Sequence, residues 1–160
     1  MEAFQIRPLD QHDRLWTARL IEEHWASTKI VTRARVYDAN ELPGFAAIQD
    51  GQPIGLVTSR IECRECEIVT MNSLAGGVGV GTALLNAVKT VADSADCKRL
   101  WLVTTNDNTY ALRFYQKRGF QIAAVHRNVL RRSRELKPEI PLDGIDGIPI
   151  RDEIELEIVL

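Results

Sequence analysis

The sequence contains no run of about 18 apolar residues, and its first residues lack the basic flank and apolar core of a secretory signal. We therefore expect no membrane-spanning segment and a cytoplasmic location. An excess of one charge is also absent, since 20 Lys and Arg residues against 22 Asp and Glu residues leave a formal net charge of -2. A nearly neutral chain has no general attraction to polyanions, so neither nucleic acid nor a membrane is expected as a partner.

Cysteine is scarce as well. Cys63, Cys66 and Cys97 are an odd number of thiols, which argues against a disulfide framework. Cys63 and Cys66 form a C-x-x-C, but a zinc site needs two further ligands, and neither Cys97 nor the three histidines show a paired ligand spacing. We therefore expect no metal site, and we interpret the C-x-x-C as part of a turn between strands.

The remaining composition is that of an ordinary globular protein, with 45% hydrophobic and 26% charged residues. These proportions exclude disordered, collagen-like and low-complexity architectures. A length of 160 residues is typical of one domain, and the sequence has neither internal repeats nor a linker-like change in composition. We expect residues 1–160 to form a single domain.

The first half of the chain predicts a strand, a helix and a three-stranded meander. A short strand over residues 4–7 precedes an amphipathic helix over about residues 11–27, whose core-facing stripe is expected to be Leu15, Ala18, Ile21 and Trp25. The turn signal DGQP then joins GFAAI to IGLVTSRI as a hairpin, and CEIVTM supplies the third strand. The predicted class is therefore α/β, in the α+β sense.

The second half predicts alternating helices and strands. A glycine-rich loop and a helix separate CEIVTM from the strand RLWLVTT, so these two strands should be parallel and joined by a right-handed crossover. A second helix begins at Asn108 and ends at Gly119, and two strands close the chain. The segment 136–150 is a long loop, and the basic run at 131–134 is expected to be a solvated helical face.

The glycine-rich loop GGVGVGT has the features of an anion site. Small residues where a strand gives way to a helix leave backbone N–H groups and the positive end of the helix dipole free to face one phosphate. A P-loop would need a lysine between Gly81 and Thr82, and a dinucleotide fingerprint would need a different glycine spacing in the first strand–helix unit. The third candidate guest is the pyrophosphate of coenzyme A.

Two motifs make the sequence similar to the GNAT superfamily of acyl-CoA N-acyltransferases. One is the loop Gly79-Val80-Gly81 after a strand. The other is a helix that resembles the family's N-x-x-A-x-x-x-Y-x-x-x-G-F, formed here by Asn108, Ala111, Tyr115, Gly119 and Phe120. The order of strands fits the family's sheet over nearly the whole chain. One departure concerns Gly76, because the usual loop has Gln or Arg at this position, so anchoring must rely more on backbone donors.

The resemblance implies a fold and a cofactor. The fold is a mixed, mostly antiparallel sheet with helices on both faces and a central parallel strand pair splayed around acetyl-CoA, which is the co-substrate. Its pantetheine arm would pair with backbone near the end of the first of these strands. The implied cofactor-binding residues are Met71, Asn72, Ser73, Gly76, Gly77, Val78, Gly79, Val80, Gly81, Thr82, Asn108, Ala111 and Tyr115.

Acetyl transfer to an amine also needs proton transfers. An alkylammonium has a pKa near about 10.4 and must lose a proton before it attacks. Glu65 and Glu67 lie two apart on a strand and therefore share a face, so either could be the base, and we favour Glu67. The resemblance makes Tyr115 the proton donor to the leaving thiolate and places an oxyanion-stabilising N–H near Met71. The sequence shows no Ser-His-Asp or Cys-His set that could form an acyl-enzyme, so we expect direct transfer in a ternary complex.

The resemblance implies a small-molecule or peptide amine as the acceptor, and a small molecule, an amino acid, an antibiotic, and a protein N-terminus or lysine all remain open. In this family the acceptor is chosen by residues 25–42 and 136–150 in the present numbering, and the family is compatible with a homodimer. Two other functions compete with the N-acetyltransferase. One is a non-catalytic module that binds acyl-CoA as a sensor or interaction partner, suggested by the departure at Gly76. The other, weaker one is an enzyme acting on a nucleoside triphosphate.

Overall fold

The computed structural model describes residues 3–25, 27–74, 76 and 78–160. None of the helices in this part of the chain is long and apolar enough to cross a membrane. The strands are β1 (Gln5–Pro8), β2 (Lys29–Thr32), β3 (Arg35–Asp38), β4 (Gly44–Gln49), β5 (Gln52–Glu62), β6 (Glu65–Ser73), β7 (Arg99–Thr105), β8 (Gln121–His126) and β9 (Glu153–Val159). The helices are α1 (Arg14–Trp25), α2 (Val80–Ser94), α3 (Thr109–Lys117) and α4 (Val129–Leu136).

Seven strands form one sheet in the order β1-β4-β5-β6-β7-β9-β8. Neighbouring strands are antiparallel, except that β6 and β7 are parallel and are connected through α2. Strands β2 and β3 form a separate antiparallel hairpin. The mixed, mostly antiparallel sheet with one central parallel pair is therefore confirmed.

Each face of the sheet has its own apolar core. Helices α2 and α3 cover one face, where Leu84, Val88 and Tyr115 pack with sheet residues such as Leu100 and Leu156. On the other face, helix α1 and the β2–β3 hairpin pack residues including Leu20, Ile21 and Ile30 against Leu56 and Val69. Helices on both faces are thus confirmed, and the two core clusters separate the molecule into an α2–α3 side and an α1 side.

Helix α1 buries only part of the stripe that hydrophobicity predicts. Ile21 is fully buried as predicted, but Leu15 is 68% exposed and Trp25 is 37% exposed, and Leu20 and Thr17 are buried instead. The Thr17 hydroxyl donates to the Asp13 carbonyl at 2.9 Å and lies 2.8 Å from the Asn40 side-chain oxygen. A hydrogen-bonded threonine therefore belongs to the buried face, and a pattern of apolar residues alone does not reveal it.

The tight turns follow the sequence where it carries a turn signal. Asp50 and Gly51 join β4 to β5 as predicted, and Gly119 follows α3 in the left-handed region with a φ of 93°. The β2–β3 hairpin was not predicted, because its turn residues Arg33 and Ala34 adopt positive φ without the Gly or Asn that normally marks such a turn. This hairpin covers polar residues of the sheet on the α1 side.

The segment after α4 is held by a side chain for which a solvated position was expected. Arg131 and Arg132 are exposed, in line with that expectation, but Ser133 is fully buried and Arg134 is half-buried. Arg134 donates to the carbonyls of Ile140, Pro141 and Ile150 at 3.3, 2.7 and 2.7 Å. The prediction for this part of the run was wrong because the proline-rich loop presents carbonyl groups that need a donor.

Candidate active site

Strands β6 and β7 separate soon after they begin. Their parallel ladder consists of the pairs Glu65–Arg99, Cys66–Leu100 and Glu67–Trp101, although the strands continue to Ser73 and Thr105. Opposite β5, the register of β6 shifts between Ile68 and Thr70, which makes Val69 a β-bulge residue. A bulge bends a strand, so β6 turns away from β7 and a wedge opens between them. The predicted splay of the central pair is confirmed.

On the α2–α3 side, a cavity of about 480 Å³ lies beside this wedge; we call it the α3 cavity. Strand β6, the start of α2 and one face of α3 line it. Its lining residues are Met71, Ser73, Gly81, Tyr110, Ala111, Arg113, Phe114, Tyr115, Lys117 and Arg118. Five predicted cofactor-binding residues therefore line one cavity: Met71, Ser73, Gly81, Ala111 and Tyr115. Its volume is in the range of small-molecule sites.

The glycine-rich loop leads into the first turn of α2 at this cavity. Gly79 precedes the helix with a φ of 83°, a conformation that disfavours any residue with a Cβ, and no side chain caps the helix. A Cβ on Gly81 would lie 3.1 Å from the Phe114 ring, so a larger residue here would require the ring or the helix to shift by a few tenths of an ångström. The first amides of a 15-residue helix are thus available to an anion.

The other predicted loop residues differ in their surroundings. Val78 is exposed, whereas Val80 is buried in the core and would offer an anion only its backbone N–H. Open space surrounds the position where Gly76 would carry a Cβ. Thr82 accepts a hydrogen bond from Arg118 at 2.9 Å. Gly77, which we also predicted to contact the cofactor, lies outside the described residues.

Three cations that the sequence analysis did not select line the α3 cavity. Arg113, Lys117 and Arg118 are exposed residues of α3 or of the position after it. The Arg118 guanidinium lies 3.7 Å from the centre of the Phe114 ring and is tied to Thr82 at the start of α2. The spacing of Arg113 and Lys117 by four places both on one helix face and could have indicated this basic patch. It supplies positive charge that the glycine loop lacks at Gly76.

Tyr115 lies at the inner end of the α3 cavity. Its ring packs edge-to-face against Phe114 and Phe120, with centroid distances of 5.0 and 5.2 Å, and only 6% of the residue is exposed. Burial raises the pKa of its hydroxyl far above the ordinary value for tyrosine. Tyr115 is therefore both a core aromatic and a cavity residue, and its hydroxyl keeps its proton at neutral pH.

Asn108 and Asn72 occupy positions on the α1 side. The Asn108 side chain accepts from the Ala111 N–H at 3.1 Å and so caps α3. The Asn72 side chain lies near Trp25, whose indole N–H donates to it at 3.4 Å. Asn72 thus faces away from the α3 cavity, while its neighbours Met71 and Ser73 line that cavity.

Glu65 and Glu67 share a face of β6, as predicted, but have different partners. Both line a cavity of about 250 Å³ that we call the arginine cavity because four arginines, Arg33, Arg35, Arg60 and Arg99, also line it. Glu65 forms an ion pair with Arg99, which also binds Glu155 and Glu157 at 2.7 and 2.8 Å. The Glu65 carboxylate is therefore engaged in an ion-pair network on the sheet.

Glu67 is 2% exposed, and burial raises its pKa, partly offset by a hydrogen bond from the Thr32 hydroxyl at 3.0 Å. Its Oε2 atom is buried without a hydrogen-bond partner among the described residues. A buried polar atom left without a partner is costly, and such atoms often serve a ligand or a reaction. Of the two carboxylates, Glu67 is therefore the better placed to accept a proton.

A third cavity, of about 370 Å³, occupies the α1 side of the wedge; we call it the cleft cavity. Val69 of β6 and Val103, Thr104 and Thr105 of β7 form its floor, and Thr32 lines both this cavity and the arginine cavity. The remaining lining residues are Glu23, His24, Trp25, Ile30, Val31, Asn108, Leu130, Lys137, Glu139, Ile140, Pro141 and Glu153. Residues from both segments expected to choose the acceptor are thus among the lining residues.

Glu153, in the cleft cavity, is a carboxylate that the sequence analysis missed. It is 3% exposed, it accepts hydrogen bonds from the Arg33 backbone N–H at 3.1 and 3.3 Å, and burial raises its pKa to about 7. The alternation in EIELE places Glu153, Glu155 and Glu157 on one face of β9, a pattern that normally indicates a solvated face. The β2–β3 hairpin covers this face instead.

The buried Glu153 carboxylate should make stability depend on pH. Its pKa is 4.5 in the reference state and about 7 in the fold, so the native state retains a proton that the unfolded chain releases between these values. The free energy of unfolding should therefore fall as pH rises through this window. Glu153→Gln removes this titration. Relative to wild type, the free energy of unfolding of Glu153→Gln should therefore increase by on the order of 2–3 kcal/mol from about pH 5 to about pH 8.

Urea denaturation of both proteins at the two pH values measures this difference. Glu139→Gln, at an exposed position of the same cavity, is the matched control and should leave the pH dependence unchanged. An equal stability difference between Glu153→Gln and wild type at both pH values would show that Glu153 does not titrate in this window.

Comparison with known proteins agrees with this architecture. Residues 7–120 match the model of the acetyltransferase (GNAT) family. The chain therefore belongs to the GNAT acetyltransferase family, and the resemblance seen in the two sequence motifs is confirmed.

Individual proteins resemble the chain in sequence or in fold. The Bacillus subtilis (strain 168) protein YdhI, described as uncharacterized, is 45% identical over 133 residues, which are 82% of this chain and 83% of YdhI. The structure of the IAA acetyltransferase from Bacillus cereus ATCC 14579 superposes with a TM-score of 0.72 at 22% identity, over 99% of this chain and 100% of that one. A GNAT family acetyltransferase from Elizabethkingia anophelis, with acetyl-CoA bound, gives a TM-score of 0.69 at 22% identity over 98% of both chains. These two structures share the fold.

Proposed function

We propose that the protein is an N-acetyltransferase that transfers an acetyl group from acetyl-CoA to a primary amine by direct attack in a ternary complex. One observation carries the proposal: the wedge between β6 and β7 has a cavity on each side. Met71 lines the α3 cavity and Val69, two residues before it, lines the cleft cavity, both beyond the last β6–β7 pair. A donor and an acceptor can therefore meet between the strands.

The α3 cavity suits the donor. The amides at the start of α2 and the cations Arg113 and Arg118 would hold its pyrophosphate, and the edge of β6 at Met71–Ser73 would pair with the pantetheine arm. The Elizabethkingia anophelis acetyltransferase, which shares the fold, has acetyl-CoA bound, and this supports acetyl-CoA as the donor. Because the cations are exposed side chains rather than part of the loop, they would add affinity without shaping the site.

The chemical steps assign one role to each residue. The amine nitrogen attacks the thioester carbonyl carbon, and a backbone N–H near Met71 stabilises the oxyanion. As the C–S bond breaks, the Tyr115 hydroxyl gives its proton to the leaving sulfur, and solvent returns a proton to Tyr115. The proton lost by the amine passes through the Thr32 hydroxyl, which lines the cleft cavity, to Glu67.

Replacing Arg118 by alanine is expected to weaken acetyl-CoA binding about tenfold, because a hydrogen bond to a charged group contributes about 1.5–3 kcal/mol. The loss should shrink at high salt, since the residue is exposed. Isothermal titration measures it, and Arg132→Ala, an exposed arginine of α4, is the control. An affinity unchanged by Arg118→Ala at low salt would contradict the assignment of the basic patch.

The proposed function is tested by a thermal-shift measurement with acetyl-CoA, followed by a thiol-release assay with a panel of amines. A ligand that binds only the native state raises its melting temperature, so acetyl-CoA should do so and ATP with Mg²⁺ should not. Thiol release that requires an amine would support the transferase. Tight binding of acetyl-CoA without turnover of any amine would favour the non-catalytic acyl-CoA module.

A further inference from the structure

The cleft cavity has a chemistry that narrows the choice of acceptor. We infer that the acceptor is a small amine with an apolar body, which binds in the cleft cavity with its ammonium group against the Glu153 carboxylate. This inference rests on the proposed function, since it names the substrate class of the same site. It adds a specificity-determining residue, Glu153, to the residues that the two family motifs select.

The body of the cavity is largely apolar. The indole of Trp25 and the side chains of the aliphatic residues and of the proline come from α1, β2, β6, β7, α4 and the loop after it, so a guest would be enclosed from several directions. These residues are Trp25, Ile30, Val31, Val69, Val103, Leu130, Ile140 and Pro141. A volume of about 370 Å³ lies within the range of about 300–1,000 Å³ that is typical of small-molecule sites.

The basic groups that line the cavity are already engaged. Lys137 is 8% exposed, and its ammonium donates to the backbone carbonyls of Trp25 and Lys29. The His24 ring contacts the Leu20 carbonyl through Nδ1 at 3.0 Å. Because these two groups are already hydrogen-bonded to the backbone, they would bind a carboxylate on the acceptor poorly. This disfavours amino acids and other zwitterions as acceptors.

The acidic groups that line the cavity, in contrast, can accept further hydrogen bonds. Glu23 and Glu139 are exposed, whereas Glu153 is nine-tenths buried or more and lies opposite Thr105 at the end of β7, where the wedge opens. Its two oxygens accept the single Arg33 N–H, although a carboxylate offers about four acceptor sites. The N–H donors of an ammonium group could bind the remaining acceptor sites of the Glu153 carboxylate.

The arginine cavity provides a poorer acceptor site. Its guanidinium groups would repel a cation, and Arg60 and Arg99 are already paired with Glu62 and with three glutamates, respectively. The residues of the arginine cavity therefore surround Glu67 and position it. Thr32 lines both cavities and donates a hydrogen bond to Glu67, so it connects Glu67 to the cleft cavity. In this arrangement Glu153 binds the ammonium group and Glu67 receives its proton.

The test compares 2-phenylethylamine, the uncharged 2-phenylethanol and the zwitterion phenylalanine as ligands of wild type, Glu153→Gln and Glu135→Gln. Glu135 is an exposed residue of α4 that does not line the cleft cavity. Saturation-transfer NMR in the presence of CoA gives the affinities, and thiol release gives kcat and KM. We expect 2-phenylethylamine to bind wild type at least about tenfold more tightly than the other two compounds. Glu153→Gln should raise its Kd and KM about tenfold while kcat changes less than about threefold, and Glu135→Gln should leave all of these values within about twofold.

The inference would be overturned by an unchanged Kd for the amine in Glu153→Gln, or by phenylalanine binding as tightly as the amine. Binding of acetyl-CoA to each protein is measured alongside. If acetyl-CoA fails to bind wild type, the proposed function fails, yet the comparison of amine Kd values still decides the role of Glu153. If acetyl-CoA binds and the amine does not, the inference alone fails.

Discussion

Tyr115→Phe is expected to lower kcat by about 10²–10⁴-fold, the usual contribution of a positioned proton donor. The substitution removes the hydroxyl of this cavity-lining residue but keeps the ring that packs against Phe114 and Phe120. The binding of acetyl-CoA should therefore stay within about twofold of wild type, since the packing that shapes the site is preserved. Steady-state kinetics and isothermal titration measure the two quantities.

Tyr110→Phe is the matched control for this experiment. Tyr110 lies on the same helix and lines the same cavity, but it is 75% exposed. Its substitution should leave kcat unchanged, because a hydroxyl in solvent donates no better than water. A fall in kcat of similar size for both variants would mean that the tyrosines only shape the cavity.

Glu67→Gln should lower kcat by about 10²–10⁴-fold as well, because it removes the carboxylate that accepts the amine proton. The pH profile separates this role from a structural one. Burial raises the pKa of Glu67, so wild-type kcat should rise with pH as this carboxyl loses its proton, at a pH above the ordinary range for glutamate. Glu67→Gln should lack this limb of the profile.

Two further variants define the route of the proton. Glu65→Gln should retain most of the activity, because Glu65 is held by Arg99 at the edge of the arginine cavity. Thr32→Val removes the hydroxyl that bonds Glu67 and should lower kcat about tenfold or more. If Glu65→Gln loses more activity than Glu67→Gln, the assignment of the base is wrong.

Much of the fold could be predicted from local signals in the sequence. The Asp50–Gly51 turn, the glycine loop before α2 and Gly119 after α3 each mark a boundary, and between them the apolar patterns are clear. The crossover through α2 then requires β6 and β7 to be parallel. The motifs of the family indicated that this pair would splay, and the structure adds the bulge at Val69 as its physical cause.

The residues that were missed depend on contacts between distant segments. Glu153 is buried because the β2–β3 hairpin, about 120 positions earlier, donates the Arg33 N–H to it. Arg134 donates hydrogen bonds to loop carbonyls, and the Thr17 hydroxyl bonds the Asn40 side chain. Each of these polar side chains follows a pattern typical of solvent exposure. A local sequence pattern indicates which residues are hydrophobic, but it does not show which polar residues will be buried beside a hydrogen-bond partner from a distant segment.

The proposed reaction depends on one arrangement, in which the donor enters from the α3 cavity and its sulfur lies in the wedge between β6 and β7. A crystal structure of the protein with CoA tests this most directly. We predict the pyrophosphate on the amides at the start of α2 and the sulfur within hydrogen-bond distance of the Tyr115 hydroxyl. CoA bound elsewhere, or its sulfur outside the wedge and away from Tyr115, would contradict the account.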